Sequence, residues 1–314
     1  QDRDFKITKI RRKYTSIKIM GGIMMKISIN EYNEMTKLRN ISSAFSRSAF
    51  TDILYFDDYS KLNWIYSKYK YFDCLTYSDF LRYIYINICK KYRCEYVYKN
   101  ELIKLLQKKY GTRNTVCFSE FRVGSSIADI AMFNGESKAF EIKTEYDSPK
   151  RLTKQMDDYK RLFDKCYLVI PENRVDVYIQ NVESSTGVIV MSKRKGRIYL
   201  EEIKKAEQNL SFDAEILISC LRASEYCNIA SALGIDISNV PGYNLFTYCK
   251  LAFQSISPTD LKILFLKEIK ARDNITSKLR KYPLALRQMM LSLNLPEKKA
   301  EVLINKLNVT IKSV

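Results

Sequence analysis

The fold of this chain is decided by two neighbouring stretches, Ile127-Ala128-Asp129-Ile130-Ala131-Met132-Phe133 and Ala139-Phe140-Glu141-Ile142-Lys143. Between them, Asn134-Gly135-Glu136 is a turn of the Asn-Gly type that joins antiparallel strands, so the pattern predicts a β-hairpin. Glu141 and Lys143 are two residues apart and therefore share one face of the second strand. The hairpin thus brings an acid on one strand close to a Glu-x-Lys element on the next.

The charged residues of this hairpin indicate a site for a metal ion and a phosphate. Burying a carboxylate is costly unless it is paired or binds a metal, and Asp129 and Glu141 lie in largely apolar runs. Two adjacent carboxylates can hold Mg²⁺ against a scissile phosphate, and Lys143 can stabilise the charge that develops on a phosphate oxygen. The alternative interpretation is an exposed edge hairpin with a Glu–Lys pair on its solvated face.

The segment after the hairpin predicts a helix followed by a buried strand. Ser148 and Pro149 suit the N-cap and the first position of a helix. Gln155 and Tyr159 are four residues apart and share one side of it. A continuous apolar run at 166–170, closed by a proline, is typical of a buried strand. The apolar face of the helix consists of Leu152, Met156, Tyr159 and Phe163.

Two further acids lie upstream of the hairpin. A helix is predicted from Asn100 to Leu106, with Glu101 at its opening and its end near Gly111. Glu120 lies on the next predicted strand, Val116 to Val123. Both acids are therefore candidates to complete a metal site.

This arrangement resembles the PD-(D/E)XK nuclease superfamily, also called restriction-endonuclease-like. The core of that superfamily is a helix, an antiparallel hairpin, a crossing helix and a further strand. Asp129 matches its metal-binding acid, and Glu141 with Lys143 matches its (D/E)-x-K element. Gln155 and Tyr159 match the Gln-x-x-x-Tyr motif of the RecB-like branch, in which the glutamine helps to orient the catalytic lysine and the substrate.

The wider sequence adds to this resemblance and departs from it at one position. Ala128 stands where the superfamily pattern has a proline, and Glu101 is a candidate for the acid that some members carry on the first helix. The stretches 121–126 and 148–152 are similar to a group of uncharacterised bacterial proteins, found in genomes and mobile elements and regarded as nucleases. The resemblance implies a role in phage defence or in a mobile element.

The resemblance implies a nuclease that depends on Mg²⁺ or Mn²⁺ and acts on DNA. Asp129 and Glu141 are expected to hold the metal, with Glu101 or Glu120 completing the site. Lys143 is expected to orient the attacking water, and Gln155 to position Lys143. Two alternatives stay open: an RNA-directed nuclease with the same site, and a non-catalytic module that binds nucleic acid or protein on a nuclease fold.

Basic residues at the start of the crossing helix are candidates for contacts with the nucleic-acid backbone. Lys150, Arg151 and Lys154 open this helix, and a helix N-terminus also favours anions. Tyr159 on the same helix belongs to the predicted nucleic-acid-binding set. An ordinary solvated helix start explains the three basic residues equally simply.

The composition supports a polyanionic partner and excludes several kinds of enzyme. The net charge is +18 and the pI is about 9.4, although lysine-rich chains from AT-rich genomes are also basic. The chain has no histidine, which excludes Ser-His-Asp triads and His-ligated zinc sites. Its eight cysteines form no CxxC pair, and their scatter fits a reducing cytoplasm. No apolar run is long enough to span a membrane.

The sequence predicts an α/β protein with four regions. Residues 1–27 form a basic N-terminal extension, and residues 28–94 form a helical region rich in Tyr and Lys. Residues 95–205 form the restriction-endonuclease-like core, a central mixed sheet with flanking helices that ends in a hairpin near 187–200. Residues 206–314 form a C-terminal helical bundle, which either binds a protein or DNA partner or covers the sheet. One of its helices is expected to begin at Ser257-Pro258.

Overall fold

The computed structural model describes residues 14–20, 23–69, 74–210, 212–272 and 274–311; for residues 14–20, 23–29 and 31 it describes the backbone alone. The strands are β1 (Tyr14–Met20), β2 (Ile23–Ser28), β3 (Val116–Val123), β4 (Ser126–Phe133), β5 (Ser137–Ile142), β6 (Lys165–Pro171), β7 (Gly187–Arg194) and β8 (Arg197–Lys204). The helices are α1 (Ile29–Ser42), α2 (Arg47–Phe56), α3 (Ser60–Tyr69), α4 (Tyr77–Lys91), α5 (Glu95–Tyr110), α6 (Leu152–Lys160), α7 (Val175–Ile179), α8 (Ala214–Ser219), α9 (Ala223–Ala232), α10 (Leu245–Phe253), α11 (Pro258–Ala271), α12 (Arg287–Leu293) and α13 (Glu297–Leu307).

A mixed sheet of the order β3-β4-β5-β6-β7-β8 forms the centre of an α/β structure flanked by helices. Strands β3, β4 and β5 are antiparallel, β5, β6 and β7 are parallel, and β8 returns antiparallel to β7. The predicted hairpin is confirmed, with Ile130 opposite Phe140 and Phe133 opposite Ser137. The edge-hairpin interpretation is wrong, because β5 is an interior strand and all six of its residues are buried.

Helix α6 makes the crossover between the parallel strands β5 and β6, a connection that such strands require. Its buried residues Leu152, Met156 and Tyr159 follow the predicted helical spacing. The predicted start at Ser148-Pro149 is wrong by a few residues, because Pro149–Arg151 form a 3₁₀ turn and the α-helix begins at Leu152. The fixed φ of proline is compatible with that turn as well as with a helix N-terminus.

The helices between residues 214 and 271 pack against the sheet and so share its core. Phe133 of β4 lies between Phe163 and Phe265, with ring centroids 5.8 and 6.2 Å away. Helix α11 begins at Pro258, as predicted, and buries Leu261, Phe265 and Ile269 on one stripe. Of the roles considered for this region, covering the sheet is the one that these contacts display.

The chain divides into two compact units whose bounds differ from the predicted regions. One consists of 1–97, 146–148 and 297–314; the other consists of 98–145 and 149–296. Helix α13 therefore belongs with the N-terminal helices, where the Tyr59 hydroxyl donates to the Lys306 carbonyl at 3.0 Å. Within the predicted basic extension, β1 and β2 form an antiparallel pair, and the part before residue 14 lies outside the described residues.

Across the part of the chain that the structure describes, no helix has the length and apolar character needed to cross a membrane.

One buried carboxylate ties the sheet to the helices that cover it. Asp164, 1% exposed, accepts hydrogen bonds from the Ser137 backbone N–H at 2.7 Å and the Ser137 hydroxyl at 2.9 Å. The side-chain amide of Gln208 donates to its other oxygen at 2.6 Å, and Lys262 of α11 forms an ion pair with the same oxygen. Four donors from three parts of the chain thus converge on one carboxylate.

We predict that Asp164→Ala lowers the free energy of unfolding by about 3–5 kcal/mol, because it leaves a partly buried ammonium and a buried N–H without their acceptor. Urea denaturation followed by circular dichroism measures the change. Asp157→Ala, at an exposed position of α6, is the control and is expected to stay within about 0.5 kcal/mol of wild type. Equal midpoints for the two variants would contradict the role given to Asp164.

Candidate active site

Three acids lie in one row across the strands β3, β4 and β5. Glu120 lies between Ser119 and Phe121 of β3, whose partners on β4, Ile130 and Ala128, flank Asp129. Asp129 and Glu141 directly adjoin the last paired residues of β4 and β5, Ile130 and Phe140. Asp129 is partly exposed and accepts a hydrogen bond from the Ile142 backbone N–H at 2.7 Å. The hairpin therefore aligns the two predicted metal-binding acids, Asp129 and Glu141, and adds Glu120 beside them.

The carboxylate of Glu141 is only 2% exposed and has a partner on each oxygen. The ammonium of Lys143 lies 2.7 Å from Oε1, and the hydroxyl of Tyr159 lies 2.6 Å from Oε2. Lys143 also donates to Oε1 of Gln155 at 2.9 Å. Strand β5 and helix α6 thus place the Glu-x-Lys and Gln-x-x-x-Tyr elements in one continuous hydrogen-bonded network.

Tyr159 supports Glu141 and does not face a nucleic acid. Its side chain is fully buried, and its hydroxyl lies 2.7 Å from the Ile127 carbonyl as well as beside Glu141. Burial, reinforced by the negative charge of Glu141, raises the pKa of the Tyr159 hydroxyl far above its usual value, so it stays a donor. The prediction that Tyr159 binds nucleic acid is therefore wrong, because no part of the ring reaches the surface.

Lys99 is a site residue that sequence reasoning missed. Its side chain comes from α5, is almost fully buried, and lies 3.3 Å from Asp129 Oδ1 and 3.6 Å from Glu120 Oε1. The predicted helix opened at Asn100 and so excluded it. The sequence did contain a signal for its burial. Leu102, Ile103 and Leu106 follow Lys99 at intervals of three, four and seven residues, so Lys99 lies on the apolar stripe of the helix.

The sheet is distorted where Glu120 meets Asp129. Glu120 has φ +59, in the left-handed region that costs a residue other than glycine about 1 kcal/mol or more. On a regular strand Phe118 and Phe121 would point to opposite faces, yet both rings pack on Phe133, with centroids 5.9 and 5.5 Å away. The strand therefore changes its inward face at Glu120, whose side chain is half exposed. Irregularities of this kind aim side chains at functional sites.

The four predicted metal ligands are not gathered into one cage. Glu101 lies inside α5 rather than at its opening and pairs with Lys104 at 2.9 Å. In the described residues, no three or more His, Cys, Asp or Glu side chains are grouped so as to hold a metal ion. Asp129 and Glu141 alone still fit Mg²⁺, which proteins commonly bind through one or two carboxylates together with water and substrate oxygens.

The predicted phosphate-binding residues are exposed and lie next to this network along the chain. Lys150 and Arg151 belong to the 3₁₀ turn, and Lys154 lies in the first turn of α6. Gln155 follows directly and bonds to Lys143. The exposed start of α6 is thus continuous with the buried residues that reach Glu141.

A match to a family of phage proteins includes the whole of this site. A sequence model with the description Bacteriophage P4 protein cII matches residues 89–291. The chain belongs to this family. The matched region extends from the end of α4 to α12 and includes each of the predicted site residues.

The chain is also similar to an individual phage protein. Protein cII of Enterobacteria phage P4 is 29% identical over 143 residues, which are 45% of this chain and 54% of the phage protein. The chain thus spans about half the length of that curated relative. A solved protein of unknown function from Silicibacter pomeroyi aligns over 46% of this chain and 93% of its own, with 11% identity and a TM-score of 0.29. A score this low does not establish a common fold.

We predict that Tyr159→Phe destabilises the protein by about 1–3 kcal/mol, because the change removes the donor that serves a buried carboxylate oxygen. Chemical denaturation gives the difference. Tyr199→Phe is the matched control, since Tyr199 is 44% exposed on β8 and its hydroxyl is not needed there. If Tyr159→Phe were as stable as wild type, the hydrogen bond to Glu141 would have no energetic role.

Proposed function

We propose that this protein is a metal-dependent nuclease that hydrolyses phosphodiester bonds in DNA on a restriction-endonuclease-like core. The observation that carries the proposal is the network of Glu141, Lys143 and Gln155 beside Asp129. A buried lysine held by a carboxylate and an amide, next to a second carboxylate, is arranged to meet a phosphate. Few structural roles require such a group in the middle of a sheet.

The order of elements around the site supports the same fold family. Helix α5 precedes the antiparallel strands β3, β4 and β5, after which α6 crosses to the parallel strand β6. This is the order expected from the PD-(D/E)XK resemblance. The acid and the Glu-x-Lys element stand on adjacent strands of it, as that resemblance implies.

Each side chain of the network has a separate task in the proposed reaction. Asp129 and Glu141 would hold Mg²⁺ or Mn²⁺, which when bound supplies a Lewis acid and a lowered pKa for water. Lys143 donates to the phosphate as negative charge develops on its oxygens, where a fixed cation is most effective. Gln155 holds the ammonium of Lys143 in place. Tyr159 holds Glu141 in one orientation, the kind of support that carboxylate ligands need.

In this proposal, exposed basic residues bind the DNA backbone. Lys150, Arg151 and Lys154 are exposed at the start of α6, and the chain carries a net charge of +18. These residues contact phosphates in the proposed complex. Such contacts fix the position of the protein along the nucleic acid but do not distinguish one base sequence from another. The relative in a bacteriophage supports a role in a mobile element.

A non-catalytic binding module is the second candidate, and one observation favours it. Both oxygens of Glu141 already have partners, and Asp129 is paired with Lys99. A site whose charges are satisfied by its own side chains is stable without any metal. The two candidates differ in one result, the appearance of a metal-dependent cleavage product.

We predict that Asp129→Asn, Glu141→Gln and Lys143→Met each reduce cleavage by about 100-fold or more, because each removes a charge used chiefly in the transition state. The assay compares plasmid, linear duplex, single-stranded DNA and RNA with Mg²⁺, Mn²⁺ or Ca²⁺. Mg²⁺ and Mn²⁺ are expected to support cleavage, and Ca²⁺ to bind without supporting it well.

The control for these variants is Asp157→Asn, which changes an exposed acid of α6 and is expected to cleave normally. Thermal melting checks that all variants are folded. Wild-type rates in two of the three site variants, or full activity in excess EDTA, would exclude the mechanism. Cleavage of RNA alone would replace the DNA substrate with RNA.

We predict that replacing Lys150, Arg151 and Lys154 by Ala weakens DNA binding on all sequences and flattens its salt dependence. Each lost phosphate contact changes the log–log slope by about 0.9. Fluorescence anisotropy with labelled duplex at several salt concentrations measures it. The matched control replaces Lys193, Arg194 and Lys195, which are exposed at the β7–β8 turn, and a smaller change is expected. If the two triple variants had the same slope of log affinity against log salt concentration, Lys150, Arg151 and Lys154 would not be the residues that bind DNA.

A further inference from the structure

Lys99 holds a positive charge inside the protein, between two carboxylates. Its side chain is 4% exposed, and its ammonium lies 3.3 Å from Asp129 Oδ1 and 3.6 Å from Glu120 Oε1. A buried ammonium is unfavourable unless it is paired, and these two carboxylates are its ion-pair partners. The three side chains therefore form one electrostatic unit at the outer end of the acid row.

The acids of the row outnumber the lysines that pair with them by one. Glu120, Asp129 and Glu141 carry three negative charges, and Lys99 and Lys143 carry two positive charges. Lys143 neutralises Glu141, while Lys99 bridges the other two acids. One end of the row is therefore already occupied by a cation that the chain supplies.

The position of Lys99 is fixed by the packing of its helix. Leu102, Ile103 and Leu106 of α5 are almost completely buried, so the face that carries Lys99 cannot turn to solvent without exposing them. The backbone distortion at Glu120, with φ +59, accompanies the placement of the Glu120 carboxylate near the ammonium of Lys99. Glu120 thus has a strained backbone conformation and a carboxylate next to a buried lysine. Backbone strain of this kind is typical of functional sites, which indicates a functional arrangement rather than an incidental one.

We infer that Lys99 acts as a resident counter-ion that takes the place of a second divalent cation and limits the proposed nuclease site to one metal ion. This inference rests on the proposed function and deepens it. In the proposed enzyme Asp129 and Glu141 would together hold one ion, and the ammonium of Lys99 lies between Asp129 and Glu120 where a second ion would otherwise bind. Lys99 is a positioning residue in this arrangement, because it touches the acids and not the substrate.

The inference is tested by counting bound Mn²⁺ per full-length chain, from the electron paramagnetic resonance signal of the free ion. Wild type is expected to bind one Mn²⁺. Lys99→Met removes the charge and keeps the length of the stem, so the freed pair of Glu120 and Asp129 is expected to take up a second ion. Because unpaired acids repel, Lys99→Met without metal is expected to melt at a lower temperature, and Mn²⁺ is expected to raise its melting temperature more than that of wild type.

Three further variants make the result specific. Lys99→Arg keeps the charge and is expected to bind one Mn²⁺, like wild type. Lys99→Gln is expected to bind two and serves if Lys99→Met does not fold. Lys108→Met removes the same charge from an exposed position of the same helix and is expected to bind one.

The possible outcomes separate this inference from the proposed function. If wild type and both neutral Lys99 variants each bind one Mn²⁺, the counter-ion role is overturned and the proposed nuclease function is unaffected. Two ions in Lys108→Met as well would assign the effect to overall charge and overturn it too. Two ions in wild type overturn the limit directly. No Mn²⁺ bound by any of the proteins overturns both the inference and the metal-dependent function.

Discussion

The burial of the Glu141 carboxylate is the constraint on which the rest of the site depends. A carboxylate that is 2% exposed requires partners of its own, and one of those of Glu141 is a hydroxyl group. Helix α6 supplies it through Tyr159, and Lys143 supplies the compensating charge from two residues further along the same chain. The crossover helix therefore has to lie across the sheet at one angle and one depth, and its apolar residues Leu152 and Met156 hold it there.

Local chemistry determined what the sequence could predict of this site. The Asn-Gly turn specified the hairpin, the two-residue spacing set Glu141 and Lys143 on one face, and the four-residue spacing set Gln155 with Tyr159. Each of these rules acts within a few residues, and the structure has the hairpin and both contacts of Lys143. The mixed sheet with flanking helices was expected from the family resemblance rather than from these local rules.

What the sequence did not predict depends on distant contacts or on exceptions to local rules. Lys99 was missed because helix boundaries are the weakest part of any pattern: the predicted helix began at Asn100, whereas the observed helix begins at Glu95. The left-handed backbone of Glu120 has no sequence signal, since such conformations normally indicate Gly or Asn. Tyr159 was assigned both to the apolar face of its helix and to the nucleic-acid-binding set, because an amphipathic ring fits either environment; its burial agrees with the first assignment alone. The grouping of α13 with the N-terminal helices involves partners more than two hundred residues apart.

The separation of α13 from its partners sets an order of events during synthesis. Lys306 donates to the carbonyl oxygens of Ile53 and Leu54 at 3.2 and 2.9 Å, so the N-terminal helices leave the ribosome long before the segment that completes them. Everything that builds the sheet and its covering helices, up to residue 296, is made in between. Domains generally fold as units while the chain grows. The sheet can therefore fold before the earliest helices receive the last element of their own unit.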